Sequence, residues 1–357
     1  MPAHPRTLEV LRLALRLGFT AFGGPAAHIA MLREEVVTRK MWLTDQRFLD
    51  YLGICNLIPG PNSTELVMHV VMQRAGWRGL IAGGLGFILP AASITLFFAW
   101  LYQTYGSSPS FTSVLYGVQP VVIAVVVQAI YGLAKPALKT PLLWATALAA
   151  IVGYWLGVNE LLLLFGIAGL AFLASRVTSK AALLEPVSLV GLLLLFLKIG
   201  ATLYGSGYVL LAFLKNEFVL RGWLTENQLL AAVAVGQVTP GPVFSSATFV
   251  GYLIAGVPGA VLATVGIFAP AFAFVYLTHP LLSSLRAQTW TARLLDAVNA
   301  AALGLMVAVA LQLARAALTD LPTMLIALAS SVVLVRSKVN TTWLLLAGGL
   351  IGFALRG

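Results

Sequence analysis

Charged residues are scarce in this 357-residue chain: they make up 10% of the sequence, whereas hydrophobic residues make up 60%. Soluble domains carry about a quarter charged residues. Apolar runs recur from one end of the chain to the other, and no polar stretch is long enough to form a separate soluble domain. The composition excludes a water-soluble globule and predicts an all-α polytopic membrane protein.

Cysteine is almost absent, and several enzyme motifs are missing. Cys55 is the one cysteine, which rules out an internal disulfide and any multi-cysteine metal or cluster site. The sequence has no His-Glu-x-x-His pair, no Gly-x-x-x-x-Gly-Lys-Ser/Thr phosphate loop and no Gly-x-Ser-x-Gly elbow. We therefore predict a protein that is not an enzyme, that has no metal or cofactor, and that does not itself use ATP.

The net charge of +10 comes from 22 Lys and Arg against 12 Asp and Glu. The basic residues are spread over short loops and form no tract, so we expect no nucleic-acid partner. The tendency of basic loops to lie on the cytoplasmic side of a membrane explains them better.

The apolar stretches divide into two sets of six, on either side of a hinge around residues 175–186. About 10–12 of them are candidate membrane segments. The expected domains are a first repeat over 1–180 and a second repeat over 181–357. The stretches are 8–32, 47–73, 78–103, 111–134, 141–157, 160–175, 187–213, 227–253, 257–282, 293–317, 322–336 and 341–355.

The second half repeats the landmarks of the first half at an offset of 180 to 182 residues. An offset this constant indicates duplication. The matched positions are Arg16 and Lys198, Gly18 and Gly200, Thr20 and Thr202, Trp42 and Trp223, Asn56 and Gln237, Pro59-Gly60-Pro61 and Pro240-Gly241-Pro242, and Pro90 and Pro270.

Loop charges predict that the two repeats are inverted. The loop after the first Pro-Gly-Pro segment holds Arg74 and Arg78, whereas the loop 254–259 after the second holds no charge. Inversion requires an odd number of crossings per copy, so we expect one Gly/Pro-broken segment in each copy to enter and leave on the same side. A parallel duplication stays open as the alternative, because Arg315 breaks the charge pattern.

Each Pro-Gly-Pro lies in the middle of an apolar segment and must break the helix there, since proline removes backbone donors and glycine permits a turn. The residues that follow would form the first turn of a half-helix, whose free N–H groups suit an anion. We expect both breaks to contribute to a binding site at the membrane midplane, although a kink that only shapes packing is the alternative. The candidate binding residues here are Asn56, Pro59, Gly60, Pro61, Asn62, Ser63, Thr64, Gln237, Gly241 and Ser245.

A second pair of breaks follows a cation in each copy, at Phe22-Gly23-Gly24-Pro25 and Tyr204-Gly205-Ser206-Gly207. A guanidinium can grip two oxygens of an oxyanion, and an ammonium acts as a point charge. For the first cation, snorkelling to the interface is an equal alternative. The candidate binding residues are Arg16, Thr20, Gly23, Gly24, Lys198, Thr202, Tyr204, Gly205 and Ser206.

Glu65 lies one turn into the first half-helix and is the candidate for proton coupling, because a buried carboxylate can load and release a proton. A salt bridge to Arg16 or Lys198, or a contact with the helix dipole, is the alternative. His69 is four residues further along and could relay the proton or pack near Arg74.

These motifs resemble the chromate ion transporter family in its long, two-domain form. The resemblance covers nearly the whole chain and rests on Phe19-Thr20-Ala21-Phe22-Gly23-Gly24-Pro25, Pro59-Gly60-Pro61-Asn62 and the weaker second set. It implies two antiparallel copies and export of chromate across the bacterial inner (plasma) membrane, driven by the proton gradient or by exchange. The second copy departs from the pattern at Ser206-Gly207 and Val243, so the first copy should carry more of the recognition.

Two alternatives remain at this point. Sulfate or another oxyanion could be the cargo, because chromate and sulfate are both tetrahedral dianions. An intramembrane enzyme acting on a lipid-linked substrate, with Glu65 and His69 as acid and base, belongs to another class. The expected partners are the oxyanion and membrane lipid, with a homodimer left open.

Overall fold

A computed structural model describes residues 5–22, 24–158, 160–165, 188–204, 209–281, 289–337 and 339–357. These residues form helices joined by short connections. The hinge, the repeat boundary at 180 and 181, and the candidate residues Gly23, Gly205 and Ser206 lie outside the described residues.

The helices are numbered in chain order. Two π-helical turns, Glu34–Arg39 and Lys215–Val219, extend α2 and α9, and 3₁₀ turns occur at Val243–Ser245 and His279–Leu281. The helices are α1 (Pro5–Thr20), α2 (Gly24–Arg33), α3 (Asp45–Cys55), α4 (Asn62–Tyr105), α5 (Pro109–Ala137), α6 (Pro141–Trp155), α7 (Glu160–Phe165), α8 (Leu189–Thr202), α9 (Leu210–Leu214), α10 (Glu226–Val238), α11 (Ser246–Thr278), α12 (Thr289–Ala317), α13 (Leu321–Arg336) and α14 (Thr341–Arg356).

The chain divides into two compact units, and each takes elements from both halves of the sequence. The first unit comprises Met1–Thr104, Ser188–Gly207 and Val235–Gln288. The second comprises Tyr105–Val187, Tyr208–Ala234 and Thr289–Gly357. The units therefore do not follow the two sequence repeats, because the second repeat contributes Ser188–Gly207 and Val235–Gln288 to the first unit and Tyr208–Ala234 to the second.

Within the described residues, four helices are long and apolar enough to cross a membrane. The all-α membrane architecture predicted from composition is confirmed. Shorter apolar helices accompany the four, among them α6, α13 and α14. The four spans are Asn62–Tyr105, Pro109–Lys135, Val243–Thr278 and Asp296–Ala317.

Helix α4 is a hairpin of two arms, residues 62–74 and 77–105. The backbone leaves the helical region at Ala75 and at Gly76, where φ is +63°. A Cβ on Gly83 would lie 2.7 Å from Val71 Cγ2, so the second arm packs back on the first. Positive φ is accessible to glycine without steric cost, which is why the chain reverses at this position.

Helix α11 contains the matching hairpin, with arms over residues 246–254 and 257–278. Its backbone turns at Ala255 and at Gly256, where φ is +59°. The hydroxyls of Thr248 and Thr264 lie 2.7 Å apart across the two arms.

The first broken segment, α1 with α2, also folds back on itself. Arg16 pairs with Glu35, and Glu9 lies 3.7 Å from Lys40. From the first pair to the second, the residue on α1 lies earlier in the chain and its partner lies later, so the two arms run antiparallel. Helix α1 has 16 residues and is therefore about 24 Å long, short of the ~30 Å hydrocarbon core.

The second broken segment doubles back at Pro59-Gly60-Pro61. The Tyr51 hydroxyl on α3 donates to Gln73 Oε1 at 2.8 Å, and the rings of Tyr51 and His69 lie 5.4 Å apart. Helix α3 has 11 residues, about 16 Å, so neither this arm nor residues 62–74 can cross the membrane alone. We expected one doubled-back segment per copy, whereas the first copy has two. The number of crossings in this copy also depends on residues 166–187, which lie outside the described residues.

Contacts inside the first unit give the relative direction of the copies. Gly60 lies beside Ala271, and His69 Nδ1 lies 3.2 Å from His279 Nδ1, so residues 62–74 run parallel to 257–278. Residues 62–74 are antiparallel to the second arm of α4. The two long second arms therefore run in opposite directions, as inverted repeats require.

Candidate functional site

The two Pro-Gly-Pro loops lie in the first unit and exchange backbone hydrogen bonds with the opposite copy. Gly60 N–H donates to Leu203 O at 2.8 Å, and Gly241 N–H donates to Ala21 O at 2.9 Å. Ala21 and Leu203 are themselves matched positions, each at the end of a first broken helix. Each loop thus bonds to the end of the other copy's first broken helix, and the two loops and the ends of α1 and α8 converge on one place.

Each loop also packs against the long helical arm of the opposite copy. A Cβ on Gly60 would lie 3.8 Å from Ala271 Cβ, and a Cβ on Gly241 would lie 3.0 Å from Ala91 Cβ. Ala91 and Ala271 are matched positions on the long arms of α4 and α11. The φ angles of the two glycines, +135° and +90°, are rarely adopted by other residues, so the close crossing depends on glycine.

The first copy supplies polar side chains at the start of α4. Asn62 Nδ2 donates to Asn56 Oδ1 at 2.8 Å. The buried His28 ring contacts Ser63 Oγ through Nδ1 at 3.2 Å and Ala21 O through Nε2 at 3.0 Å. His28 was missed by sequence reasoning, although it lies one turn after Gly24-Pro25, on the helix that this break begins.

Glu65 is fully buried beneath the first loop. Neither carboxylate oxygen has a hydrogen-bond partner among the described residues, and the same holds for Thr64 Oγ1 and Asn62 Oδ1. Arg16, the proposed salt-bridge partner, pairs with Glu35 instead. An ionised carboxylate buried without a partner is costly, so a carboxyl at this place is conspicuous.

The second copy supplies hydroxyls where the first supplies a carboxylate. Thr95 Oγ1 donates to Ser245 Oγ at 3.1 Å and lies 3.5 Å from Thr239 Oγ1. All three are buried. Thr239 immediately precedes the second loop and could have been noticed in the sequence, whereas Thr95 approaches the loop from the opposite copy.

After each of the two matched cations, a threonine hydroxyl near the end of the helix donates to the carbonyl oxygen of the cation. Thr20 Oγ1 donates to Arg16 O at 2.6 Å, and Thr202 Oγ1 donates to Lys198 O at 2.7 Å. Lys198 is half-buried, whereas half of the Arg16 side chain is exposed. Arg16 therefore forms an ion pair with Glu35, which lies in the π-helical turn that extends α2.

Arg16 also lines a cavity of about 320 Å³. No Pro-Gly-Pro residue is among those that line it, which are Leu8, Glu9, Arg12, Leu13, Arg16 and Lys40. The other predicted residues lie at the breaks. Gly24 is buried and begins α2 with φ of +76°, Tyr204 is half-buried after α8, and Gln237 is buried near the end of α10.

The comparisons with known proteins agree with this architecture. A chromate transport protein of Pseudomonas aeruginosa is 32% identical over 374 residues, covering 95% of this chain and 90% of that protein. One from Cupriavidus metallidurans is 30% identical over 376 residues, covering 97% and 93%. An uncharacterized transporter of Bacillus subtilis is 28% identical over 176 residues, which is 49% of this chain but 87% of that protein. No solved structure matches the chain.

The sequence model described as "Chromate transporter" matches the chain twice, at residues 8–173 and 190–353. Two matches confirm the internal repeat predicted from the 180- to 182-residue offset. Together with the full-length relatives and the apolar spans, they establish that this multi-pass membrane protein belongs to the chromate transporter family.

Proposed function

We propose that this chain exports chromate from the cytoplasm and binds it where the two Pro-Gly-Pro loops cross. The relatives of nearly equal length are named chromate transport proteins. The observation that carries the proposal is the set of buried polar atoms without partners at the start of α4, on Asn62, Thr64 and Glu65. Buried polar groups are normally hydrogen-bonded, so such a set points to a ligand or solvent.

The crossing suits a tetrahedral dianion. The first N–H groups of α4, on Asn62 and Ser63, have no intrahelical acceptor and lie at the positive end of the helix dipole. The Thr64 and Ser245 hydroxyls add neutral donors. Lys198 contributes a positive charge from α8, four residues before its last residue, which reduces the cost of holding two negative charges inside the membrane.

Glu65 links anion binding to a proton. A neutral carboxylic acid can donate a hydrogen bond to an oxyanion, whereas an ionised carboxylate only accepts and repels a dianion. Chromate and the Glu65 proton therefore bind together. Their joint exit moves one net negative charge outward, which an inside-negative membrane potential favours by about 2.3 kcal/mol per 100 mV.

Transport in liposomes containing the purified protein tests this proposal. We expect chromate to move towards the positive side when a potential is imposed, together with protons. Recovery of chemically unchanged chromate argues against the intramembrane enzyme. Equal inhibition by sulfate would extend the substrate class to other tetrahedral dianions, and movement only towards the negative side would contradict export.

Two substitutions test the site in cells. Glu65→Gln and Lys198→Met should each abolish chromate tolerance at normal expression, because one removes the proton and the other the compensating charge. Glu34→Gln and Lys139→Met are matched controls, since both side chains are at least half exposed and form surface ion pairs. Unaltered tolerance in both site variants would refute the site.

A further inference from the structure

A cluster of three rings lies between Glu65 and the surface of the first unit. His69 is on the same arm of α4 as Glu65, Tyr51 is on α3, and His279 is in the 3₁₀ turn that ends α11. The ring centroids lie 5.4 to 5.5 Å apart in all three pairs, and the ring planes differ by 13° to 19°.

The two histidines are joined directly, with His69 Nδ1 3.2 Å from His279 Nδ1. One of these nitrogens must donate and the other accept, so a single proton occupies the junction. His69 is fully buried, and its Nε2 has no hydrogen-bond partner among the described residues. His279 is half-buried and is followed by the exposed Pro280.

His69 lies four residues after Glu65, so the two side chains occupy one face of the same helix. Both carry buried polar atoms without partners among the described residues. A change of the Glu65 rotamer towards the next turn would bring its carboxyl towards His69 Nε2. The groups then form a continuous line from the crossing of the loops to half-buried His279.

The end of this line is on the basic side of the first unit. Arg47 lies 5.4 Å over the Tyr51 ring, and Arg74 and Arg78 follow the arm that carries His69. Basic segments lie on the cytoplasmic side. The other polar groups near the rings are Gln73, which accepts from the Tyr51 hydroxyl, and Asp50, the residue directly before Tyr51.

Among the described residues, the opposite end of the pseudo-symmetric unit has no such line. The positions that match His69 and His279 are Val250 and Ala99, and both are buried and apolar. Beside Val250, Phe249 packs against Tyr102 at 5.4 Å between ring centroids. A packing role alone would be served by apolar side chains at both ends, so the histidines are specific to the basic side.

We propose that His69 and His279 form a proton relay between Glu65 and the cytoplasmic surface. This inference rests on the proposed function, because it assigns the route by which the Glu65 proton arrives. A hydronium ion protonates His279 Nε2, the proton on His279 Nδ1 passes to His69 Nδ1, and the proton on His69 Nε2 passes to the Glu65 carboxylate. Each ring is left as its other neutral tautomer and returns to the first by rotation of the ring before the next proton passes. No bond other than N–H and O–H forms or breaks.

Liposomes containing the full-length protein and an internal pH dye test the relay. In His69→Ala and His279→Ala, we expect chromate-driven proton flux to fall about tenfold or more, as for loss of a positioned proton-transfer group. Chromate–chromate exchange, which needs no net proton transfer, should stay close to the unsubstituted rate. Added imidazole should restore proton flux in His69→Ala, because the substitution leaves a ring-sized space beside His279.

Tyr102→Phe is the control, since it changes the Tyr102–Phe249 ring pair at the other end and should leave both fluxes unaltered. If exchange falls together with proton flux and imidazole restores neither, the histidines are structural and the relay is refuted. If both histidine variants keep full proton flux while Glu65→Gln loses it, the relay fails and the proposed function stands. If Glu65→Gln keeps proton flux, the proposed function fails.

Discussion

Replacing Gly60 by alanine is expected to destabilise the protein through Glu65. The new Cβ would overlap Glu65 Oε1 and lie 3.1 Å from its Cδ. The backbone φ of +135° adds strain, at about 1–3 kcal/mol for a residue other than glycine. Displacing a buried side chain from a packed site adds about 1–3 kcal/mol. The two contributions together predict a loss of roughly 2–6 kcal/mol.

Two comparisons separate these contributions. Gly76→Ala has a positive φ of +63° with a ψ of −156° but no atom within 4 Å of the new Cβ, so it should cost about 1–3 kcal/mol of backbone strain alone. In a Glu65→Ala background, Gly60→Ala no longer meets the carboxylate, and its cost should fall by about 1–3 kcal/mol.

The free energies of unfolding can be measured by titration with SDS in mixed micelles, with the fluorescence of the eight tryptophans as the signal. The Gly60→Ala, Glu65→Ala and double variants form a double-mutant cycle with the unsubstituted protein. If the two substitutions are additive within about 0.5 kcal/mol, the carboxylate does not lie beneath the loop, and the site geometry is wrong.

The second unit allows two further predictions. A Cβ on Gly117 would lie 2.7 Å from the backbone nitrogen of Gly352, so Gly117→Ala should cost about 1–3 kcal/mol in SDS unfolding, whereas Gly132→Ala on the same helix meets no atom within 4 Å and should cost nothing. Equal effects would refute the close helix packing. The Tyr116 hydroxyl donates to both Asp320 oxygens at 2.8 Å and lowers the pKa of that carboxyl. Because the folded pKa lies below the unfolded value of about 3.9, this stabilisation is present above that pH and is lost as pH falls through the folded value. Asp320→Asn should flatten this acid dependence of the unfolding midpoint, and an unchanged acid dependence would contradict the role of the bond.

Residues that act through local chemistry could be identified from the sequence. Glu65 and the polar residues after the first Pro-Gly-Pro were predicted because a charged or polar group inside an apolar segment is costly and therefore conspicuous. His28, Thr95 and His279 were not predicted. Their partners are 35, 150 and 210 residues away in the sequence, so no local pattern marks them.

Arg16 was predicted as a binding residue, but its ion-pair partner was not predicted. Its position before a helix break indicated an anion contact or snorkelling, and both depended on local spacing. The hairpin of α1 and α2 instead brings Glu35 to Arg16, and Glu35 also accepts from Arg39 at 3.0 Å. This pair could not be predicted from sequence spacing, because the two residues meet only after the chain folds back.

Composition and periodicity by themselves determined that the chain is a duplicated helical membrane protein with breaks at its Gly/Pro motifs. These properties follow from transfer of side chains into hydrocarbon and from the missing N–H of proline. Only the tertiary structure decided that both broken segments of the first copy fold back, and that each loop bonds to the opposite copy. A backbone N–H such as that of Gly60 carries no side-chain signal of its acceptor, and Leu203 becomes its partner only when two distant halves of the chain pack together.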